Sequence, residues 1–206
     1  MSAQYEVWLT RDDGVRIAYL DQYESLDYTI VANDVGALTL VLPSTFDRTL
    51  LVVDRRFEVW RQPDGGALSQ ENVYFIRHLR DRTDADGVRR IEVHGLDANY
   101  LLGGRIVAYN AGSAQADQTN EIDDMMKAIV RDNLGSTATD TTRDLTTAGL
   151  TVMVDVALGT SLTKTFSRRN VLEVLKDLGD AARTAGTPVY FRIVQTSATA
   201  LEFRTY

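Results

Sequence analysis

The chain has 206 residues, 44% hydrophobic and 25% charged, a formal net charge of −7 and no cysteine. That length can bury a sizeable core as one large domain or two small ones, and the missing thiols exclude a disulfide framework, a thiolate nucleophile and a Cys-ligated zinc. An acidic balance with no basic run disfavours a tight nucleic-acid binder, whose affinity rests on Lys and Arg neutralising phosphates; it suits a surface that DNA passes without sticking.

Met1-Ser2-Ala3-Gln4-Tyr5-Glu6 carries no basic stretch followed by an apolar one, and no apolar run approaches the roughly 20 residues of a membrane span. The expectation is a protein made in a cytoplasm that enters no bilayer by itself. Tyr5, Val7 and Leu9 alternate with polar neighbours, and with the turn Asp12-Asp13-Gly14 and Val15–Leu20 they predict a hairpin over 4–20. Leu26–Val31 is rich in β-formers, Asn33-Asp34-Val35-Gly36 is a turn, and Leu38, Leu40 and Leu42 alternate up to Pro43. Arg56–Gln62 is a further strand. Asn72–Arg80 and Val88–His94 are the arms of a long hairpin with its tip at Asp84-Ala85-Asp86-Gly87, Gly87 supplying the positive φ of a bulged turn. Short strands without intervening helices suggest a small barrel or sandwich.

Character changes near Asn110. Ala111–Thr119 is small and polar and reads as a linker. Asn120 is placed to N-cap a helix whose dipole Glu121, Asp123 and Asp124 complement. Ile122, Met125, Met126, Ile129 and Val130 form its apolar stripe, and Gly135 ends it. Ser136–Thr147 reads as an exposed loop and Leu150–Val156 as a strand. Ser167 is expected to cap a second helix carrying Val171, Leu172, Leu175, Leu178 and Ala181-Ala182, closed by Gly186 and Pro188. Val189–Val194 and Ala200–Thr205 complete an antiparallel pair. Because the chain stops at Tyr206 directly after a strand, the expectation is that the natural protein continues.

No constellation carries clear chemistry. His78 and His94 face each other across the long hairpin if its loop is Ala85-Asp86-Gly87, but a metal site needs three or four ligands and no third is at hand. The acidic pairs Asp12-Asp13, Asp84/Asp86, Asp123-Asp124 and Asp177/Asp180 sit in turns or on helices, without the spacing of a calcium loop. No G-x-S-x-G elbow or phosphate-cradling glycine loop occurs. Catalytic residues, cofactor and metal are therefore all expected to be absent. Tyr5-Glu6-Val7-Trp8 is echoed by Phe57-Glu58-Val59-Trp60. If the valines face the core, Trp8 and Trp60 point outward, either into an interface or beneath a second layer of the same chain. Arg168-Arg169, at the start of a helix, opposes its dipole and is a candidate contact for an acidic partner.

The segment Gly95-Leu96-Asp97-Ala98-Asn99-Tyr100-Leu101-Leu102-Gly103-Gly104-Arg105-Ile106-Val107-Ala108-Tyr109 is the most distinctive. Gly95 is expected to end a strand and Asp97 to cap a short helical turn. Leu101 and Leu102 face a core, Gly103-Gly104 stops the turn, and Arg105 opens a further apolar segment. Gly95, Asp97, Leu101, Leu102 and Arg105 resemble a motif of the siphophage tail hub or tail-tip proteins. Tyr5–Leu9, Leu26-Asp27-Tyr28, Arg55–Arg61, Met125–Val130 and Ser167–Leu172 are similar to other segments of that family, in the same order.

The resemblance implies an α+β, mainly β chain. Residues 1–109 would form an antiparallel β-barrel or sandwich of the tail-tube kind, and 110–206 an inserted, incomplete α+β domain with two helices. It further implies a non-enzymatic homotrimer at the tip of the virion tail, assembled in the host cytoplasm. Its partners would be the distal tail, tail tube and tape measure proteins, and DNA would pass its lumen without specific binding. A tail-associated cell-wall hydrolase and a host-glycan-binding module are the alternatives.

Overall fold

The computed structural model describes residues 3–85, 87–108, 116–138, 140–166 and 168–206. The fold is α+β and mainly β, as the alternation predicts. It divides into two compact units, Met1–Val31 with Val35–Ala98 and Ala32–Asp34 with Asn99–Tyr206. Asp86 of the hairpin tip, Tyr109, Asn110, residues 111–115 of the expected linker and the expected cap Ser167 lie outside the described residues.

The first unit is one antiparallel sheet of β1 (Gln4–Thr10), β2 (Arg16–Tyr19), β3 (Ser25–Tyr28), β4 (Ala37–Pro43), β5 (Arg56–Gln62), β6 (Ser69–Thr83) and β7 (Arg89–Asp97). Their order is β2-β1-β5-β6-β7-β4-β3. Alternate residues of a strand share a face. Val7, Leu9, Leu38, Leu40, Leu42, Phe57, Val59, Tyr74, Ile76, Ile91 and Val93 accordingly meet in one buried cluster. The sheet curls around this face: Tyr5 of β1 and Tyr28 of β3 lie edge to face with ring centroids 6.2 Å apart, although their strands are second and seventh in the order. Register shifts at Leu9/Thr10, Val59/Trp60 and Ile76/His78 supply the local twist for that curvature. Burial raises the pKa of the Tyr28 phenol, helped by its bonding to Tyr5 and the nearby Glu71 charge. The phenol therefore stays a donor, 3.4 Å from the Glu71 carboxylate.

The hairpin tip follows the expectation. Asp84 N–H donates to the Val88 carbonyl at 3.0 Å, Gly87 N–H to the Asp84 carbonyl at 2.9 Å, and Gly87 has φ 79°. The resulting register sets His78 opposite His94. Gly36 is required for a different reason. A Cβ there would stand 2.4 Å from the Thr29 carbonyl oxygen and 2.7 Å from Asp97 Oδ2. Gly36→Ala is expected to destabilise this unit by about 1–3 kcal/mol through overpacking, measured by urea unfolding.

The second unit contains α1 (Tyr100–Gly103), β8 (Ala116–Glu121), α2 (Ile122–Leu134), β9 (Leu150–Val152), β10 (Ser161–Phe166), α3 (Val171–Thr184), β11 (Phe191–Gln195) and β12 (Leu201–Thr205). β11 and β12 are antiparallel, as predicted, and β9 joins β12 in parallel. The expected stripes of α2 and α3 are buried, apart from a half-buried Ala181. Several local expectations are corrected. Residues 116–119 are strand rather than linker, because β8 pairs along its length with β10. Asn120 lies in that strand and Glu121 occupies the N-cap of α2. Asn170 caps α3, its side chain accepting from Glu173 N–H at 3.4 Å. β9 ends at Val152, because residues 154–158 turn their backbone groups to α2 instead.

One edge of the three-stranded sheet is closed by side chains. The amides of Phe191 and Ile193 point away from β12; the first donates to Asn33 Oδ1 at 2.7 Å and the second to Asn99 Oδ1 at 2.8 Å. The amide nitrogens of these asparagines donate in turn to the Val189 and Asp34 carbonyls at 3.3 and 2.7 Å. Two asparagines thus do what a further strand would do, and the edge is blunted against stray pairing.

Candidate functional site

The tetrapeptide echo proves to be a pairing. β1 and β5 run antiparallel with Glu6 opposite Trp60, Val7 opposite Val59 and Trp8 opposite Glu58. The valines face the core, and the outer face becomes a checkerboard of two indoles and two carboxylates. Each indole N–H donates to the glutamate two residues before it, Trp8 to Glu6 and Trp60 to Glu58, both at 3.1 Å. Arg16 from β2 lies across them, its guanidinium carbon 4.7 Å from the Trp8 ring centroid and 5.0 Å from that of Trp60. Its Nε and Nη2 donate to Glu58 Oε2 at 3.0 and 2.8 Å. Tyr19 adds a ring 4.8 Å from Trp8. Trp8 and Trp60 are therefore half-buried rather than bare. The arrangement is a platform of amphipathic rings held by one guanidinium and two carboxylates, able to make contact at little entropic cost.

The chain's two tryptophans are both in this platform, so tryptophan fluorescence, excited beyond the tyrosine band, reports on it alone. Arg16→Ala is expected to red-shift the emission as the indoles gain water, and to cost about 1–2 kcal/mol from two cation–π contacts and a charge-assisted pair. An unchanged spectrum would show that the stack does not persist in solution.

The histidines meet as the register requires, with rings 5.9 Å apart and stacked. His94 is occupied by Glu92 at 2.9 Å and Thr39 at 3.3 Å. Among the described residues no group of three or more His, Asp or Glu is placed to hold a metal ion. Among the described residues no helix is long and apolar enough to cross a membrane.

In the Gly95–Tyr109 segment, β7 runs on to Asp97, so Gly95 lies within the strand and does not end it. Asp97 is buried, its N–H donates to the Gly36 carbonyl at 2.9 Å, and the N-cap of α1 is Asn99. Leu102 is fully buried, Leu101 is half-buried, and Gly104 caps the turn. The segment then docks on the start of α3. Asn170 Nδ2 donates to the Gly103 carbonyl at 2.7 Å, Val171 N–H to the Arg105 carbonyl at 2.9 Å and Val107 N–H to the Arg169 carbonyl at 2.7 Å. Arg168 and Arg169 precede the helix rather than open it. Arg168 is exposed with φ 51°, and Arg169 forms an ion pair with Asp177.

Sequence reasoning missed a buried charge cluster on α2. Lys127 is fully buried, and its Nζ donates to Asp123 Oδ2 at 2.7 Å and to the Val154 carbonyl at 2.8 Å, with Asp124 Oδ1 at 3.8 Å. Asp124 Oδ1 accepts the Val156 and Ala157 N–H groups at 3.1 and 3.3 Å, and Asp123 Oδ1 accepts Leu158 N–H at 2.5 Å. The i, i+4 spacing of Asp123 and Lys127 was a visible signal, but nothing in the pattern separates a buried pair from a solvated one. The cluster fixes segment 154–158, with Ala157 held at φ 56°, so that Val154, Val156 and Leu158 face solvent, the first 73% exposed. Apolar side chains displayed on a clamped loop offer area for contact.

Comparison with known proteins adds three findings. A family model described as siphovirus ReqiPepy6 Gp37-like protein matches residues 5–203. The solved structure of a tail protein from Neisseria meningitidis MC58 is similar with a TM-score of 0.50 at 14% identity, covering 97% of this chain and 50% of that one. The E. coli c3393 protein, described as a component of the type VI secretion system with structural similarity to T4 bacteriophage tail proteins gp27 and gp5, has a TM-score of 0.43 at 10% identity. That match covers 88% of this chain and 48% of the other. The chain spans about half the length of these two structures. No curated protein sequence matches it.

Proposed function

Because the chain belongs to the siphovirus ReqiPepy6 Gp37-like family of phage tail proteins, we propose that it is a structural part of the tail tip or baseplate hub. In this reading it joins the tail tube to the distal tail ring, surrounds the DNA path as a homotrimer and performs no catalysis. The observation that carries it is the family match along nearly the whole chain, residues 5–203. Three features support an assembly role. The curled sheet ends in two short strands, β2 and β3, each paired on one side only among the described residues, and sheet edges are natural sites of subunit pairing. The Trp8–Arg16–Trp60 platform and the clamped 154–158 loop are rigid surfaces of the kind that interfaces use.

Three experiments test the proposal. Immunogold labelling of intact virions with antibody to this chain is expected to mark the tail tip; label along the tail shaft or at the head would refute the placement. Light scattering of the full-length natural protein is expected to give the mass of a trimer, and a stable monomer would refute the assembly state. Clearing of cell walls by the purified protein would refute the non-enzymatic reading.

A further inference from the structure

A cleft of about 450 Å³ opens in the first unit where the long hairpin passes the turn after β4. Four arginines line it: Arg48, Arg82, Arg89 and Arg90. Such a gathering is unexpected in a chain whose net charge is −7. Arg82 and Arg90 are direct cross-strand partners, an arrangement that like charge makes unfavourable. Asp84 offsets it by pairing with both, at 2.9 Å from Arg82 Nε. Arg90 also reaches Glu24, and Arg48 pairs with Asp81. Arg89 stands opposite Thr83 and forms no ion pair among the described residues. The remaining lining is the Asp81 carboxylate and the hydroxyls of Ser44 and Thr83, with Ile91 as the one aliphatic residue.

We propose that this cleft binds a phosphate group. Its donors are planar guanidinium forks and hydroxyls, which suit a tetrahedral oxyanion offering several acceptor oxygens. One aliphatic residue gives too little apolar surface to hold a hydrophobic molecule or to stack a sugar. A bound phosphate would take up Arg89, which forms no ion pair among the described residues, and would share with Asp84 the opposed Arg82 and Arg90, and Asp81 on the exposed Arg48 is the carboxylate it would displace.

The test is a titration of the ¹⁵N-labelled protein with sodium phosphate, followed by NMR, against sodium chloride of equal ionic strength. Saturable shifts confined to residues 44–48 and 81–91 are expected with phosphate alone. Arg89→Gln, an exposed substitution, should weaken binding about tenfold, the scale of one lost charge-assisted contact, and Arg89→Lys should recover part of it. Glycerol phosphate and a short oligonucleotide at matched phosphate concentration distinguish a free phosphate ester from a polymer backbone. Saturation by inorganic phosphate and glycerol phosphate supports the proposal. A response to the oligonucleotide alone, shifts that chloride reproduces, or a titration unchanged in Arg89→Gln would overturn it.

Discussion

Replacing Lys127 with alanine is expected to cost the second unit about 3–5 kcal/mol, because it leaves the buried Asp123 and Asp124 carboxylates without their cation. The ammonium is fully enclosed and makes its two closest contacts at 2.7 and 2.8 Å, so water cannot substitute without opening the loop. Urea unfolding followed by circular dichroism measures the loss, and limited proteolysis should find new cleavage within 153–158. Lys127→Met keeps most of the volume and should be nearly as damaging, which separates charge from packing. Adding Asp123→Leu to Lys127→Met should restore part of the stability, though Leu158 N–H then lacks its acceptor. If Lys127→Met unfolds at the wild-type urea concentration, the cluster is not what holds the segment.

The second large effect is expected at Asn99. Its side chain is fully buried, accepts from Ile193 N–H and donates to the Asp34 carbonyl. Asn99→Ala leaves the buried Ile193 N–H without its acceptor and removes a donor from the half-buried Asp34 carbonyl, and should cost about 2–4 kcal/mol. Hydrogen exchange at the Ile193 amide is the specific readout: it should accelerate well beyond what global destabilisation explains. Asn99→Asp retains the acceptor but loses the donor and buries a charge, so it should rescue little.

Much of the β architecture was legible because a strand with one buried face writes its period into the sequence. β5 was read at its observed limits, and the hairpin tip with Gly87 fixed the His78–His94 register two residues at a time. What stayed hidden has physical causes. β8 reads Ala-Asp-Gln-Thr-Asn-Glu and β10 is largely exposed and carries Ser161, Thr163 and Thr165, so no sustained apolar alternation marks them. β9 looked longer because Val152, Val154 and Val156 alternate; the last two face solvent, and their backbone partners are helix side chains no pattern announces, the Lys127 ammonium for the Val154 carbonyl and the Asp124 carboxylate for Val156 N–H. Asp97 looked like a cap beside a helical turn, yet it closes a strand, since Gly36 lies across from it. The Trp-bearing echo was visible, but its meaning, two strands paired as a checkerboard, needed the register. Asn33 and Asn99 were read as turn and motif residues, and nothing local shows that each serves an amide more than ninety positions away.

The placement of Asn33 has an evolutionary consequence. Its tripeptide, Ala32–Asp34, belongs to the second unit, while the strands on either side of it belong to the first. A gene fragment beginning at Asn99 would encode a sheet whose Phe191 amide has lost its acceptor, and one ending at Ala98 would carry that acceptor away unused. Recombination at this junction is therefore penalised at both products. The two units should be inherited as a block, exchanged between viruses whole or not at all.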